Sequence, residues 1–345
     1  MSVSPRIAAL STALPAIDAT AGQVWDALGQ IRGRPLPRLS PGDSGRRRRL
    51  AEPLSSLVAP RSQSNQTDAY LRHARMLSRT VCCDALERCG VARDRIGLII
   101  GVSCTGVVLP SLDAELIPIL GLDADVARLP ITELGCGAGV SGLARARDFL
   151  LAYPDRAVLL FAVELPSLTF QPQDRSIDNL TAALVFGDGA GAMVLDGDGA
   201  SRGWLVEGCT TRLVPDAAGD LGFELRDGGL RVVLRRELPK AVETHLRPAV
   251  DAFLDSLDLT LGEIDVLAVH PGGPRIFDAV EHALPGPQCG LETSRRVFDQ
   301  VGNASSAGIF FVLEALQVSG VQGRVLALSF GPGLSIELAL LHVAN

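Results

Sequence analysis

The chain has 345 residues, 47% of them hydrophobic, which is enough to bury a large core as one big domain or two fused ones. A net charge of −7 gives no footprint for nucleic acid, and no apolar run approaches the roughly 18 residues that span a bilayer. Seven cysteines, an odd number with no C-x-x-C pair, read as reduced thiols of a cytoplasmic protein with no metal site.

Ile7 to Leu10 is short and lacks a basic leader, so it belongs to a first strand over Arg6 to Leu14 rather than to a signal peptide. A helix follows over about Ala21 to Ile31. The Pro/Gly/Arg-rich segment Arg32 to Arg49, with Pro35, Pro37, Pro41 and Gly42, reads as a loop and then the start of a helix or turn. Ser62 to Gln66 reads as a polar loop, and Asp68 to Cys89 as a helix closed by Gly90; Cys82, Cys83 and Cys89 are small apolar residues of that helix. Ile96–Val102, Val158–Val163 and Val266–Val269 are near-continuous apolar runs, the pattern of strands buried on both faces. Gly135 to Leu151 is a helix whose small first residues let neighbouring backbone approach closely. Phe186 to Gly191 is a glycine turn into a strand, and Asp196-Gly197-Asp198-Gly199 signals a hairpin. The second half starts near Trp204, continues with a helix over Leu238 to Leu257, and closes in a hairpin about Gly331-Pro332-Gly333.

The two halves echo each other. Ile96 and Ile264 open matching strands 168 residues apart, and Cys136 and Asn303 hold matching places 167 apart in Gly135-Cys136-Gly137-Ala138 and Gly302-Asn303-Ala304-Ser305. Phe186-Gly187-Asp188-Gly189 is matched by Phe330-Gly331-Pro332-Gly333. Such self-similarity predicts a duplicated α/β unit with Cys136, His270 and Asn303 converging where the halves meet. A thiol becomes a nucleophile as thiolate, favoured by a helix N-terminus and a nearby imidazolium. His270 ends a strand at Pro271-Gly272-Gly273-Pro274 and offers a donor to a thioester oxygen; the Asn303 amide is a second donor that never titrates. Each also has an ordinary reading, as a buried small residue, a core histidine and a helix cap, and the matched placement is what favours chemistry. The run Arg46, Arg47, Arg48, Arg49 reads either as a solvated face or as a site for a phosphorylated ligand.

These stretches together, with Ser103-Cys104-Thr105-Gly106 and His270-Pro271-Gly272-Gly273-Pro274, resemble the type III polyketide synthases, the chalcone synthase-like branch of the thiolase fold. The likeness runs from about Arg6 to the end. It implies an α/β protein of five layers, α/β/α/β/α, with residues 1–200 as the half bearing the cysteine and 201–345 as the half bearing histidine and asparagine. It also implies a homodimer, and coenzyme A thioesters used as substrates with neither cofactor nor carrier protein. Cys136 then accepts an acyl-CoA starter and the growing chain, while His270 and Asn303 stabilise the enolate from malonyl-CoA. Phe186 matches one gatekeeper, and Val232 stands where the second is usually aromatic. Phe223 fills part of the cyclisation pocket, Cys104 and Thr105 shape the starter pocket, Thr169 and Ser305 line the elongation side, and Pro332 lines the cavity. Arg46 to Arg49, with Gly272 and Gly273, fall where coenzyme A binds. Val163-Glu164-Leu165-Pro166-Ser167-Leu168-Thr169-Phe170 looks most like bacterial alkylresorcinol and alkylpyrone synthases, although Pro166 departs from them. The expected product is a pyrone or resorcinol from an aliphatic starter. The alternatives are a malonyl-CoA-only tetrahydroxynaphthalene-type enzyme, a ketoacyl-carrier-protein synthase III-like enzyme, and a catalytically silent dimer partner.

Overall fold

The first strand, β1 (Arg6–Ala13), lies at the middle of a nine-stranded mixed sheet. After it come β2 (Ile17–Thr20), α1 (Ala21–Arg32), the single-turn α2 (Pro41–Ser44), β3 (Arg47–Leu50), the single-turn α3 (Leu54–Leu57) and the long α4 (Gln63–Arg88). Next are β4 (Ile96–Val102), α5 (Leu112–Ile119), β5 (Ala127–Ile131), α6 (Ala138–Ala152), β6 (Ala157–Glu164), α7 (Ile177–Val185) and β7 (Gly189–Asp196). The chain continues with β8 (Trp204–Leu213), β9 (Leu221–Arg226), β10 (Gly229–Leu234), α8 (Leu238–Asp255) and β11 (Val266–Val269). It ends with α9 (Pro274–Ala283), α10 (Glu292–Val301), α11 (Gly308–Val318), β12 (Gly323–Gly331) and β13 (Ser335–Val343). This computed structural model describes residues 5–32, 41–59, 61–198, 203–226, 229–286 and 291–343; Pro35, Pro37, Gly199 and Cys289 lie outside them.

The sheet runs β11-β12-β13-β8-β1-β7-β6-β4-β5. Its two sides repeat one pattern: β4 is parallel to β6, then β7 and β1 follow antiparallel, just as β11 is parallel to β12, then β13 and β8 follow antiparallel. The sides meet at only two register pairs, Arg6↔Leu205 and Ile7↔Trp204. Helices cover both faces of each side, which is why every residue of β6 and β7 is buried and neither strand alternates.

Three apolar layers follow. Tyr70, Leu77 and Val81 of α4 pack on Ile99, Leu159 and Phe161 outside the first side. Val242, Val250, Phe277 and Phe298 pack on Leu326, Leu328 and Leu338 outside the second. Between the two lie α6 and α11, with Leu143 and Phe310 in one apolar cluster with residues of both sides. This is the five-layer α/β/α/β/α arrangement of the thiolase fold. Each fully buried large apolar side chain contributes roughly 1.5–3 kcal/mol. The central helices therefore hold the two sides together, and both begin at the centre of the molecule.

Three local expectations fail. Residues 47–50 form a strand, not a loop or helix, because Ile17–Thr20 pairs with them antiparallel and carbonyl oxygens accept from the inward arginine. The segment at Ser62 is the start of α4: the Ser62 hydroxyl accepts from the Asn65 N–H at 3.2 Å, an N-cap that turns a polar stretch helical. The strand ending at Asp196 makes no hairpin with β8, because β1 inserts between them and pairs with both.

Candidate active site

The nucleophile turn is built by glycine. Gly135 has φ 47°, and a Cβ there would lie 2.8 Å from the Pro332 ring; one on Gly137 would lie 3.0 Å from Gly331 Cα. Close packing against the β12–β13 turn thus presses the 3₁₀ turn Gly135–Gly137 into place and presents Cys136 at the head of α6. From the other half, the 3₁₀ turn Ser305–Ala307 leads into α11. Its first residue, Ser305, is buried at φ 45°, a strained value for serine.

The two turns meet. Cys136 Sγ lies 3.5 Å from Ser305 Oγ and 4.0 Å from Asn303 Oδ1. Ser305 N–H donates to Asn303 Oδ1 at 2.8 Å, so the amide is fixed with its NH₂ as the group left to donate. His270 follows β11 and packs its ring on Gly308, where a Cβ would be 2.9 Å from Nδ1. Neither ring nitrogen makes a hydrogen bond of good geometry among the described residues, but the Asn303 side chain lies close enough to act on the ring. The structure thus brings together all three residues that the sequence singles out.

Burial dominates their electrostatics. It pushes the Cys136 thiol up to about 11, with the Ser305 and Asn303 side chains and its own N–H pulling down and Glu164 pushing up. It pulls the His270 imidazole down to about 3, with Asn303 acting weakly the other way. Burial thus works against charge on either group, against the expected imidazolium beside a thiolate. A neutral imidazole can accept the thiol proton as a thioester arrives, and an imidazole N–H and a carboxamide NH₂ can both donate to an oxyanion.

Around this centre, Phe186 and Val232 pack with Cys136, and Phe223 lies against them. An apolar cavity of about 50 Å³ continues past Thr169, Pro166 and Phe223 to Leu28 and Leu57. Cys104 Sγ is 3.4 Å from Ser305 Oγ, and Thr105 donates to Glu164 at 2.7 Å. Gly273, at φ 127°, carries the His270 loop past Val185. Glu164 escaped the sequence reading as a site residue. It accepts from the backbone of Cys104 and Thr105 and from Ser306 Oγ at 2.5 Å, tying both halves together beneath Ser305. Its signal was an acid closing a run of seven apolar residues, Ala157 to Val163.

The arginine run divides. Arg46 pairs with Asp43 and Asp299, and Arg47 and Arg49 pair with Asp18; these three reach the surface in part. Arg48 corrects the expectation of a phosphate ligand. Only 1% exposed, it spends its guanidinium on the carbonyls of Leu184, Arg47 and Phe298.

Among the described residues no helix is long and apolar enough to cross a membrane, and no three His, Cys, Asp or Glu side chains gather as a metal site needs. Sequence profiles of chalcone and stilbene synthases match twice, the N-terminal domain over residues 56–199 and the C-terminal domain over 206–344. A 1,3,6,8-tetrahydroxynaphthalene synthase of Streptomyces peucetius is 36% identical over 97% of this chain and 92% of its own. A putative chalcone synthase of Bacillus subtilis is 35% identical over 72% and 70%. The crystal structure of the Streptomyces coelicolor tetrahydroxynaphthalene synthase, a bacterial type III polyketide synthase, superposes with a TM-score of 0.92, at 28% identity over 99% of both chains. With both family domains matched in order and the whole length accounted for, this chain belongs to the chalcone and stilbene synthase family and is a type III polyketide synthase, an acyltransferase acting on coenzyme A thioesters.

Proposed function

We propose that Cys136 carries the acyl chain and that His270 and Asn303 serve the thioester oxygens. The observation behind this is the meeting of Cys136 with Asn303 and Ser305 within 4.0 Å at the heads of two central helices. In the first step the Cys136 proton passes to His270 and the sulfur attacks the starter thioester, releasing coenzyme A. Malonyl-CoA then loses carbon dioxide, and the electron pair of the broken C–C bond forms an enolate. The imidazole N–H and the Asn303 NH₂ stabilise its oxygen. The enolate carbon attacks the acyl group and the Cys136 thiolate leaves; the lengthened chain returns to Cys136 for the next round. After two or three extensions it cyclises to a pyrone or resorcinol. Arg46, Arg47 and Arg49 with Gly272 and Gly273 would meet the coenzyme A, while Cys104, Thr105, Thr169, Phe186, Phe223, Val232, Ser305 and Pro332 shape the cavity.

The apolar lining of the cavity, with Leu28, Leu57, Phe186 and Val232, supports an aliphatic starter. We read residues 1–200 and 201–345 as two thiolase-like halves, supported by their repeated strand pattern. A homodimer in the cytoplasm completes the proposal. Its support is a surface apolar pair, Val107 and Leu109, exposed by 64% and 91%, and six free cysteines among the described residues, suited to a reducing compartment. A second reading, priming by malonyl-CoA alone, is favoured by the tetrahydroxynaphthalene synthases among the relatives.

The test gives the purified protein malonyl-CoA alone, then with acetyl-, hexanoyl-, decanoyl- or benzoyl-CoA, and follows carbon dioxide and product masses. We expect hexanoyl- or decanoyl-primed products, and no acyl-enzyme in Cys136→Ala. Full-rate product from malonyl-CoA alone would replace the aliphatic starter with the second reading. No carbon dioxide under any condition would leave a silent homologue.

A further inference from the structure

We propose that Arg48 is a positioning residue that sets Asn303 and Phe186 from behind the site. Its guanidinium is a buried cation with no ion-pair partner among the described residues, lodged between the C-terminal ends of two helices. Nε donates to Leu184 O at 2.6 Å, in the last turn of α7. Nη1 donates to Phe298 O at 3.2 Å, in the last turn of α10, and to Arg47 O at 2.6 Å. The Phe298 ring lies 4.7 Å below it. Helix C-termini carry partial negative charge, so two of them facing one cation offset its desolvation, although Phe298 O also accepts from the Gly302 N–H at 2.9 Å.

What leaves those two helices is the site itself. The chain exits α7 directly into Phe186, and exits α10 through Gly302 into Asn303. The exits are stitched together: Asn303 N–H donates to Val185 O at 2.8 Å, and Gly187 N–H to Asn303 O at 3.0 Å. A Cβ on Gly302 would lie 2.9 Å from Arg48 Cδ and 3.1 Å from Gly187 N, so a glycine at φ 91° lets the arginine stem pass beneath the junction. Arg48 therefore fixes the spacing of both helix ends, and the stitched exits transmit it to the amide of Asn303. Lysine would keep the charge but not the planar fork that reaches two carbonyls at once.

This inference rests on the reading of Asn303 as an enolate-stabilising donor, and the experiment separates the two. Arg48→Lys, the milder Phe298→Leu and Asn303→Ala are compared with the unaltered enzyme for thermal midpoint, acylation of Cys136 by hexanoyl-CoA (intact mass), and decarboxylation of malonyl-CoA. Decarboxylation should fall about 100-fold in Arg48→Lys and about tenfold in Phe298→Leu, while acylation of the folded fraction stays within about threefold. Equal loss of both activities, or decarboxylation within about threefold of the unaltered enzyme in both variants, would overturn the role of Arg48. If Arg48→Lys does not fold, Phe298→Leu decides by the same criterion. Should Asn303→Ala decarboxylate normally, the reading of Asn303 fails, and with it any action of Arg48 through that amide. Loss in Asn303→Ala with none in the other two variants overturns the Arg48 assignment alone.

Discussion

Burial raises the Cys136 thiol because no cation beside it replaces the water it has lost. Ser305 Oγ and Asn303 Oδ1 are neutral neighbours, while the buried Glu164 carboxyl works against ionisation. Burial likewise works against charge on His270, lowering its imidazole to about 3. A thiol raised above its ordinary 9 to about 11 reacts through a thiolate fraction that grows with pH below that value. Alkylation of Cys136 by iodoacetamide, followed on its own peptide so that Cys104 does not interfere, should therefore speed up about tenfold per pH unit from about pH 7 to 9 without levelling off. A plateau below neutral pH would reveal a standing thiolate–imidazolium pair and refute this electrostatic account.

At the scale of elements, the site depends on how closely two helices begin. The heads of α6 and α11 touch through Gly139, where a Cβ would stand 2.5 Å from the Ser306 carbonyl oxygen and 2.7 Å from Ile309 Cγ2. Gly139→Ala must push the helices apart just where Cys136 faces Ser305. It should cost about 1–3 kcal/mol in urea denaturation and reduce acylation of Cys136. Gly222→Ala, whose Cβ would meet nothing within 4 Å, should stay within about 0.5 kcal/mol. If the two behave alike, the close approach is not what builds the turn. Gly139 was legible in the sequence as a small residue at a helix start, and the runs of β4, β6 and β11 were legible because burial on both faces leaves no alternation to misread. The strand β3 was not. Its pattern alternates outward Arg47 with inward Arg48, then half-exposed Arg49 with inward Leu50, yet four arginines in a row look like a solvated face. Leu184 O and Phe298 O, which make Arg48 an inward residue, lie 136 and 250 positions away, beyond any local signal. The same distance hid the insertion of β1 between β7 and β8, and the role of Glu164 in binding Cys104 and Thr105 to Ser306.

The whole molecule explains why a site built from neutral groups is also a source of acid sensitivity. Two sheet sides enclose α6 and α11, and His270 follows β11 into that enclosure, where its ring meets Gly308 and is desolvated by burial. Unfolding releases it to water and to its ordinary value of 6.5, against about 3 in the fold. Between those values the unfolded chain binds the extra proton, so stability is whole above about pH 6.5 and is lost as pH falls towards 3. For this one group the loss from pH 7 to pH 5 amounts to about 2 kcal/mol. Asp188 has the opposite sign: burial raises its carboxyl to about 7 against the Ser167 and Ala51 donors, so the fold binds its proton more tightly and gains stability at low pH. A bare pH curve mixes these contributions, whereas a comparison of variants separates them. His270→Gln keeps a polar side chain against Gly308 but removes the titration, so its drop in unfolding free energy between pH 7 and pH 5 should be smaller than that of the unaltered chain by about 2 kcal/mol. Parallel curves for the two proteins would mean that the ring already exchanges protons with solvent in the folded state, and that the enclosure of the site is more open than its packing indicates.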